Sequence, residues 1–281
     1  MAHWIIAYSI CDNTILNFLY FSSSFFIISF VKRIIASAGN FIRNLRQIAW
    51  QDYCRLCNQV ISEDDKHFCP DCWQSLGGCI VDSHCLRCGK EMSVFGRLPD
   101  GCAECQEEEF HFDSINCLGV YRGPLRNLII KFKLSDRTEL LAPLVGLGQD
   151  AIGRADFRNA IDYIVPVPLH WRKRFKRGFN QSALIAKKLD FGNARFNTDL
   201  VRTRYTDEQV GLSPAARRKN VKGAFAVRRR HDFEGKNVCL FDDIKTTGAT
   251  LNECAKVLKE AGAKKVFAFV LAVAGQKEFS G

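Results

Sequence analysis

Eight of the cysteines in this chain fall into four C-x-x-C pairs: Cys54/Cys57, Cys69/Cys72, Cys85/Cys88 and Cys102/Cys105, with spacers of 11, 12 and 13 residues between them. Two thiolates at this spacing chelate one tetrahedral ion, so four such knuckles predict two structural zinc sites that hold short loops together where no core could. A disulfide framework would need an oxidising compartment and a small secreted chain. Thioredoxin-like redox chemistry would need only one pair. Four pairs fit neither, and they point to a reducing compartment, the cytoplasm. Sequential pairing (54/57/69/72 with 85/88/102/105) and interleaved pairing are both open. Glycines and polar turns such as "RCGKEM" suit small ribbons, which also serve as surfaces for nucleic acid or partner proteins. His67 and His84 lie near the knuckles, but the cysteines already complete the ligand sets. Cys11, Cys79, Cys117, Cys239 and Cys254 lack the spacing and read as small hydrophobes.

Ahead of the knuckles, Asn13 to Val31 runs nineteen residues without a formal charge and is succeeded at once by Lys32 and Arg33. That length just spans a hydrocarbon core, and the basic flank would keep the downstream domains on the inner face of the cytoplasmic membrane. Residues 1–33 are therefore expected to be a membrane anchor or, given the Ser, Thr and Asn residues that interrupt the run, a stretch upstream of the true start. In residues 34–50, Ile34, Ala38, Phe41, Leu45 and Ile48 recur at helical spacing with Arg43 and Arg46 off the stripe, which predicts an amphipathic helix. A double ribbon is expected over 51–117, and then one larger domain over 118–281.

That domain alternates strands and helices. "NCLGVYR", "DYIVPVPL", "KNVCLF" and "KKVFAFVLAVA" read as strands. "PLRNLIIKFKL", "ELLAPLVGLGQDAIGRA", "NQSALIAKKL" with Asn180 as its cap, and "TLNECAKVLKEAG" ended by Gly262 read as helices. Strands apolar on both faces and separated by helices predict a parallel sheet covered on both sides, with ligands bound beyond the carboxyl ends of its strands.

At one such end stands "VCLFDDIKTTGATL". A Thr-Gly turn entering a helix offers backbone N–H groups and hydroxyls at the positive end of the helix dipole, which is a phosphate site. The preceding carboxylates, Asp242 and Asp243, cannot hold phosphate. They can accept from sugar hydroxyls and help hold Mg²⁺. A phosphorylated sugar satisfies both halves. An apolar strand ending in two acids also looks like the metal-binding strand of a nucleoside triphosphatase, but G-x-x-x-x-G-K-[ST] is absent: Gly89-Lys90 and Gly235-Lys236 lack the upstream Gly and the subsequent Ser or Thr. No G-x-G-x-x-G comes after a strand either. The bland alternative is a tight turn with helix-capping Asp and Thr.

The net charge of +10 makes a polyanionic partner plausible. Much of it lies in His170, Arg172, Lys173, Arg174, Lys176 and Arg177, a run that reads as a pyrophosphate site, as a solvated face, or as a single-stranded DNA contact with Trp171 or Phe175 stacking on bases.

Taken together, "FCPDCW", "YRGPLRNLIIKFK", "VPVPLHWRKRFKRGFNQS", "GLSPAARRKNVKGAF" and "DDIKTTGATL" resemble, in that order, the ComF family: a double zinc ribbon joined to a type I phosphoribosyltransferase domain and linked in some bacteria to competence and DNA uptake. The resemblance runs from about Tyr53 to Leu271. It implies an α/β fold of the type I phosphoribosyltransferase kind that binds 5-phosphoribosyl-1-pyrophosphate (PRPP) with Mg²⁺ and transfers ribose 5-phosphate to a nitrogen acceptor, a reaction of nucleotide metabolism. By position it implies that Asp242, Asp243 and Arg177 are catalytic. Thr246, Thr247, Gly248, Ala249 and Thr250 would cradle the 5-phosphate, and Pro168, Leu169, Arg172, Lys173 and Asn180 would line the pyrophosphate site. Gln209, Arg217 and Asn220 would lie on a mobile loop that closes over PRPP, with a plain surface connection as the alternative. The same resemblance admits a non-catalytic role with DNA or DNA uptake proteins.

Overall fold

The structure is a computed structural model that describes residues 52–62, 64–81, 83–92, 101–134, 138–170, 178–206 and 213–275. The expected anchor (1–33) and amphipathic helix (34–50) lie outside the described residues. Among the described residues, no helix is long and apolar enough to cross a membrane.

The described chain divides into two compact units. In the smaller, β1 (Asp52–Tyr53) pairs antiparallel with β2 (Val60–Ile61). The larger holds residues 55–58 and everything from 67 onward. Its first helix, α1 (Pro70–Gly77), starts directly after Cys69. Pro70 at the first helical position loses no hydrogen bond there, because that N–H has no intrahelical partner in any helix.

The main sheet contains β3 (Ser114–Val120), β4 (Tyr163–Pro166), β5 (Arg195–Phe196), β8 (Asn237–Lys245) and β9 (Lys265–Val273) in the spatial order β3-β9-β8-β4-β5, all parallel. Between β5 and β8 the chain forms an antiparallel hairpin, β6 (Leu200–Arg202) with β7 (Phe225–Val227). The helices are α2 (Gly123–Leu134), α3 (Leu141–Gly153), α4 (Gln181–Ala186), α5 (Pro214–Val221) and α6 (Ala249–Glu260). Because β8 and β9 are buried almost throughout, both faces need cover. On one face Leu240, Ala268 and Val270 join a core with Leu251, Cys254 and Leu258 of α6. On the other, Phe241 and Phe191 both lie against Phe269.

Three differences from the expected elements have physical causes. First, the strand read as "KNVCLF" continues to Lys245, because the long neighbour β9 pairs with it as far as Lys245↔Val273. Pairing with β4 stops earlier, with Pro166↔Phe241 in register and Val167 N–H donating to the Phe241 carbonyl (2.8 Å). Asp242 and Asp243 therefore stand inside one ladder and beyond the end of the other.

Second, β3 begins at Ser114, ahead of the boundary expected at 117/118, and its free edge is covered by the cysteine-rich segment. Val120 N–H donates to the Cys79 carbonyl (2.8 Å) and Ile115 N–H to that of Leu86 (2.8 Å). The approach is so close that a Cβ on Gly119 would lie 2.1 Å from the Cys79 oxygen. Covering an edge in this way removes a site of intermolecular pairing.

Third, the stretch expected as a mobile loop includes a capped helix. The Ser213 hydroxyl accepts from Ala216 N–H (3.2 Å), Pro214 opens α5, and Arg217 on that helix is only 5% exposed.

Candidate functional site

β4 continues to β5 on one side, whereas its other neighbour, β8, is flanked by β9 on the opposite side. Strand order thus reverses between the carboxyl ends of β4 and β8, the position at which open α/β sheets bind ligands. Val167 to His170 leave β4 at this point, and Asp242 to Gly248 end β8.

Three elements converge on the two acids. Asp243, buried, is paired with Lys133 near the end of α2, Nζ to Oδ2 2.7 Å. Asp242 Oδ1 accepts from the Ser182 hydroxyl (3.1 Å) and from Asp243 N–H (3.0 Å), a donor released by the end of the β4 ladder. The first turn of α4 ties the parts together. Asn180 caps it by accepting from Ala183 N–H (3.4 Å) and donates to the Val167 carbonyl (3.1 Å), while the buried Gln181 donates to the Lys133 carbonyl (3.2 Å). Burial, then the charge of Asp243, pushes the Asp242 carboxyl up to about 7, and Lys133, Asp243 N–H and Ser182 oppose that rise. A carboxylate this short of positive charge suits a hard cation with oxygen ligands.

The turn beyond is built for close approach. Gly248, the N-cap of α6, has a φ of +79°, and a Cβ there would meet Lys245 Cε at 2.8 Å. The Thr247 hydroxyl accepts from Ala249 N–H (3.3 Å). Lys245 is 4% exposed, its Nζ stands 5.8 Å over the Phe110 ring, and Phe110 packs on the cysteines of the second cluster.

The cysteines form two groups, Cys54/Cys57/Cys69/Cys72 and Cys85/Cys88/Cys102/Cys105, each with its sulfurs within 4.8 Å of one another. Sequential pairing is thereby selected, and neither His67 nor His84 belongs to a group. Sγ–Sγ distances of 3.7 Å (Cys57–Cys69), 3.7 Å (Cys85–Cys105) and 3.6 Å (Cys88–Cys102) match the edge of about 3.8 Å that four thiolates at the usual zinc–sulfur distance define. Both groups therefore fit a tetrahedral metal ion. The four remaining described cysteines, Cys79, Cys117, Cys239 and Cys254, are all buried.

Of the other expected site residues, Thr246 to Thr250 share the turn into α6, and Pro168 and Leu169 are half-buried just past the end of β4. Arg172, Lys173, Arg177 and Gln209 lie outside the described residues. Arg217 is buried on α5, and the Asn220 carbonyl accepts from Arg204 Nη2 (2.9 Å). Sequence reasoning missed Lys133, Ser182 and Arg202. Lys133 stands in "YRGPLRNLIIKFK", a stretch singled out only as a helix, and Ser182 comes directly after the recognised Asn180 and Gln181.

The all-parallel sheet with its helices and the two cysteine clusters fit a phosphoribosyltransferase-type α/β domain preceded by a double zinc-ribbon region, and the family described as phosphoribosyl transferase domain matches residues 176–280. Competence protein F of Haemophilus influenzae is 34% identical over 199 residues, 67% of this chain and 84% of that protein. DNA utilization protein YhgH of Escherichia coli K12 is 31% identical over 218 residues, 76% of this chain and 86% of its own. Competence protein ComFC of Bacillus subtilis is 26% identical over 244 residues, 78% and 93% of the two chains. The chain belongs to the ComF family.

Proposed function

We propose that this protein binds PRPP with Mg²⁺ and transfers ribose 5-phosphate to a nitrogen acceptor with release of pyrophosphate. The observation that carries this reading is the junction of two subsites at one switch point, the Asp242/Asp243 pair on β8 and the turn from Thr246 to Thr250 that enters α6. Backbone N–H groups and hydroxyls of the turn take the 5-phosphate. Asp242 and Asp243 accept from the ribose hydroxyls and hold Mg²⁺ directly or through water. When bound, Mg²⁺ supplies positive charge beside the diphosphate. Pro168, Leu169, Arg172, Lys173 and Asn180 line the leaving-group side, and Arg177 adds charge there.

In the reaction the bond from C1 to the diphosphate oxygen breaks, a nitrogen–C1 bond forms, and the acceptor's proton passes to solvent. The developing oxocarbenium character asks the protein for positioning and charge more than for a dedicated base. Gln209, with the segment that leads into α5, closes over the ligand. Zinc in the two cysteine clusters has a structural role in a ribbon module that precedes the transferase domain. The name competence protein of two relatives, with DNA utilization protein for a third, favours a role connected with DNA uptake.

Calorimetry with Mg-PRPP on the wild type, Asp242→Asn and Asp243→Asn tests the reading: micromolar binding lost in both variants is expected, and no binding by the wild type sinks it. A second reading, single-stranded DNA handling without turnover, is favoured by the net charge of +10 and the same names. It requires oligonucleotide affinity that falls steeply with salt and with removal of charge across 172–177.

A further inference from the structure

The β6–β7 hairpin brings a cation to the site that neither the phosphate turn nor the β4 loop provides. Arg202 ends β6 and pairs in register with Phe225 of β7, and its guanidinium lies over that ring at 5.3 Å. One terminal nitrogen donates to the hydroxyl of Thr206, itself 3% exposed. Aromatic face and hydroxyl together fix the plane of the fork. Its Nε is buried and has no hydrogen-bond partner among the described residues. Burial disfavours the charge of this guanidinium, and Cys254 and then Asp242 oppose that effect. The edge of the Tyr205 ring rests on His170, just past β4, at 5.2 Å, so the hairpin reaches the switch point.

A guanidinium stays charged at any physiological pH, and a buried N–H without an acceptor is unfavourable. A buried donor of this kind is met at functional sites, where a ligand, ion or water completes it. Asp243 is paired with Lys133, whereas no ion pair to Asp242 is found among the described residues. The unused donor is a single N–H on a delocalised cation, which selects a phosphate or carboxylate oxygen over a neutral carbonyl.

We propose that Arg202 is a ligand-binding residue whose Nε–H donates to an anionic oxygen of the ligand bound at Asp242. The proposal rests on the PRPP reading above. The oxygen belongs either to the diphosphate of PRPP or to an acidic group on the acceptor.

The test is calorimetry on the full chain with Arg202→Lys, which keeps the charge but lacks Nε–H, and Arg202→Met, each checked for an unchanged thermal midpoint. Mg-PRPP and ribose 5-phosphate are titrated first, then orotate onto protein saturated with Mg-PRPP. If the oxygen is on the diphosphate, both variants bind Mg-PRPP about ten- to a hundredfold more weakly and ribose 5-phosphate equally well. If it is on the acceptor, Mg-PRPP binding is unchanged and orotate binding falls by a similar factor. Undiminished binding of both by folded variants overturns the role of Arg202 and leaves the PRPP reading standing. A wild type that binds no Mg-PRPP overturns that reading and this proposal with it.

Discussion

Lys133 Nζ lies 2.7 Å from Asp243 Oδ2, an ion pair that joins the end of α2 to the middle of the carboxylate pair on β8. With the Asp243 side chain 10% exposed and that of Lys133 24%, the pair is shielded enough to matter and wet enough to be discounted from a fully buried one. Lys133→Met leaves two adjacent carboxylates without their nearest cation. It is expected to lower stability by about 2 kcal/mol, and Asp243→Asn in the same chain to restore about half of that. Urea denaturation of the two single variants and the double gives the coupling energy; a coupling near zero would remove Lys133 from the site.

The raised Asp242 carboxyl sets a pH dependence whose sign is fixed. Its folded value of about 7 lies above the usual carboxylate range, so the folded chain binds the extra proton and this group's contribution to stability is complete below about pH 4. That contribution is lost as pH rises through 7. Asp242→Asn removes the loss. The unliganded variant is expected to melt about 2–6 °C above the wild type at pH 8, and no higher than it at pH 4. If the pair binds Mg-PRPP as proposed, that affinity moves the opposite way, because the ionised carboxylate that burial disfavours is the form the ligand would need. Equal melting temperatures at pH 8 would count against burial of this carboxylate.

The turn that enters α6 depends on a glycine for two separate reasons. Gly248 occupies the left-handed region at φ +79°, and its missing Cβ leaves room for Lys245 Cε. Gly248→Ala should cost about 1–2 kcal/mol for the backbone alone. If the turn cradles a phosphate, it also weakens ribose 5-phosphate binding about tenfold. A variant that loses stability but keeps full affinity would move the phosphate away from this turn.

Much of this arrangement is local and hence legible. The C-x-x-C spacing, the Asn180 cap, the Gly262 stop after α6 and the apolar runs of β8 and β9 each encode their own element within a few residues. What escaped notice depends on the path of the chain between elements. Ser182 reaches Asp242 across 60 residues of sequence, and Lys133 reaches Asp243 only because α2 and β8 meet at the same end of the sheet. No periodicity marks either residue. Strands β5, β6 and β7 have two or three residues each, too short for an alternation to show, so the hairpin carrying Arg202 could not be read in advance.

The second cysteine cluster and the turn entering α6 share Lys245 and Phe110, so a metal ion in the cluster would be linked to that turn. Lys245 is held in a buried position with Phe110 beneath its ammonium, Phe110 packs on Cys85/Cys88/Cys102/Cys105, and the thiol groups of Cys88 and Cys105 act on the lysine's charge. Four thiolates around a divalent ion carry a net charge of −2, so an occupied cluster favours the ammonium that burial alone disfavours. Loss of metal should therefore release Lys245 and, through its contact beneath Gly248, loosen the turn. Cys102→Ser is expected to lower zinc content from two ions per chain to one, measured by plasma emission, and to speed amide exchange at 110–120 and at 245–250 by tenfold or more. The same change should leave exchange near Tyr163 and Val238 unaltered. Faster exchange confined to the ribbon would show instead that the cluster supports only its own loops.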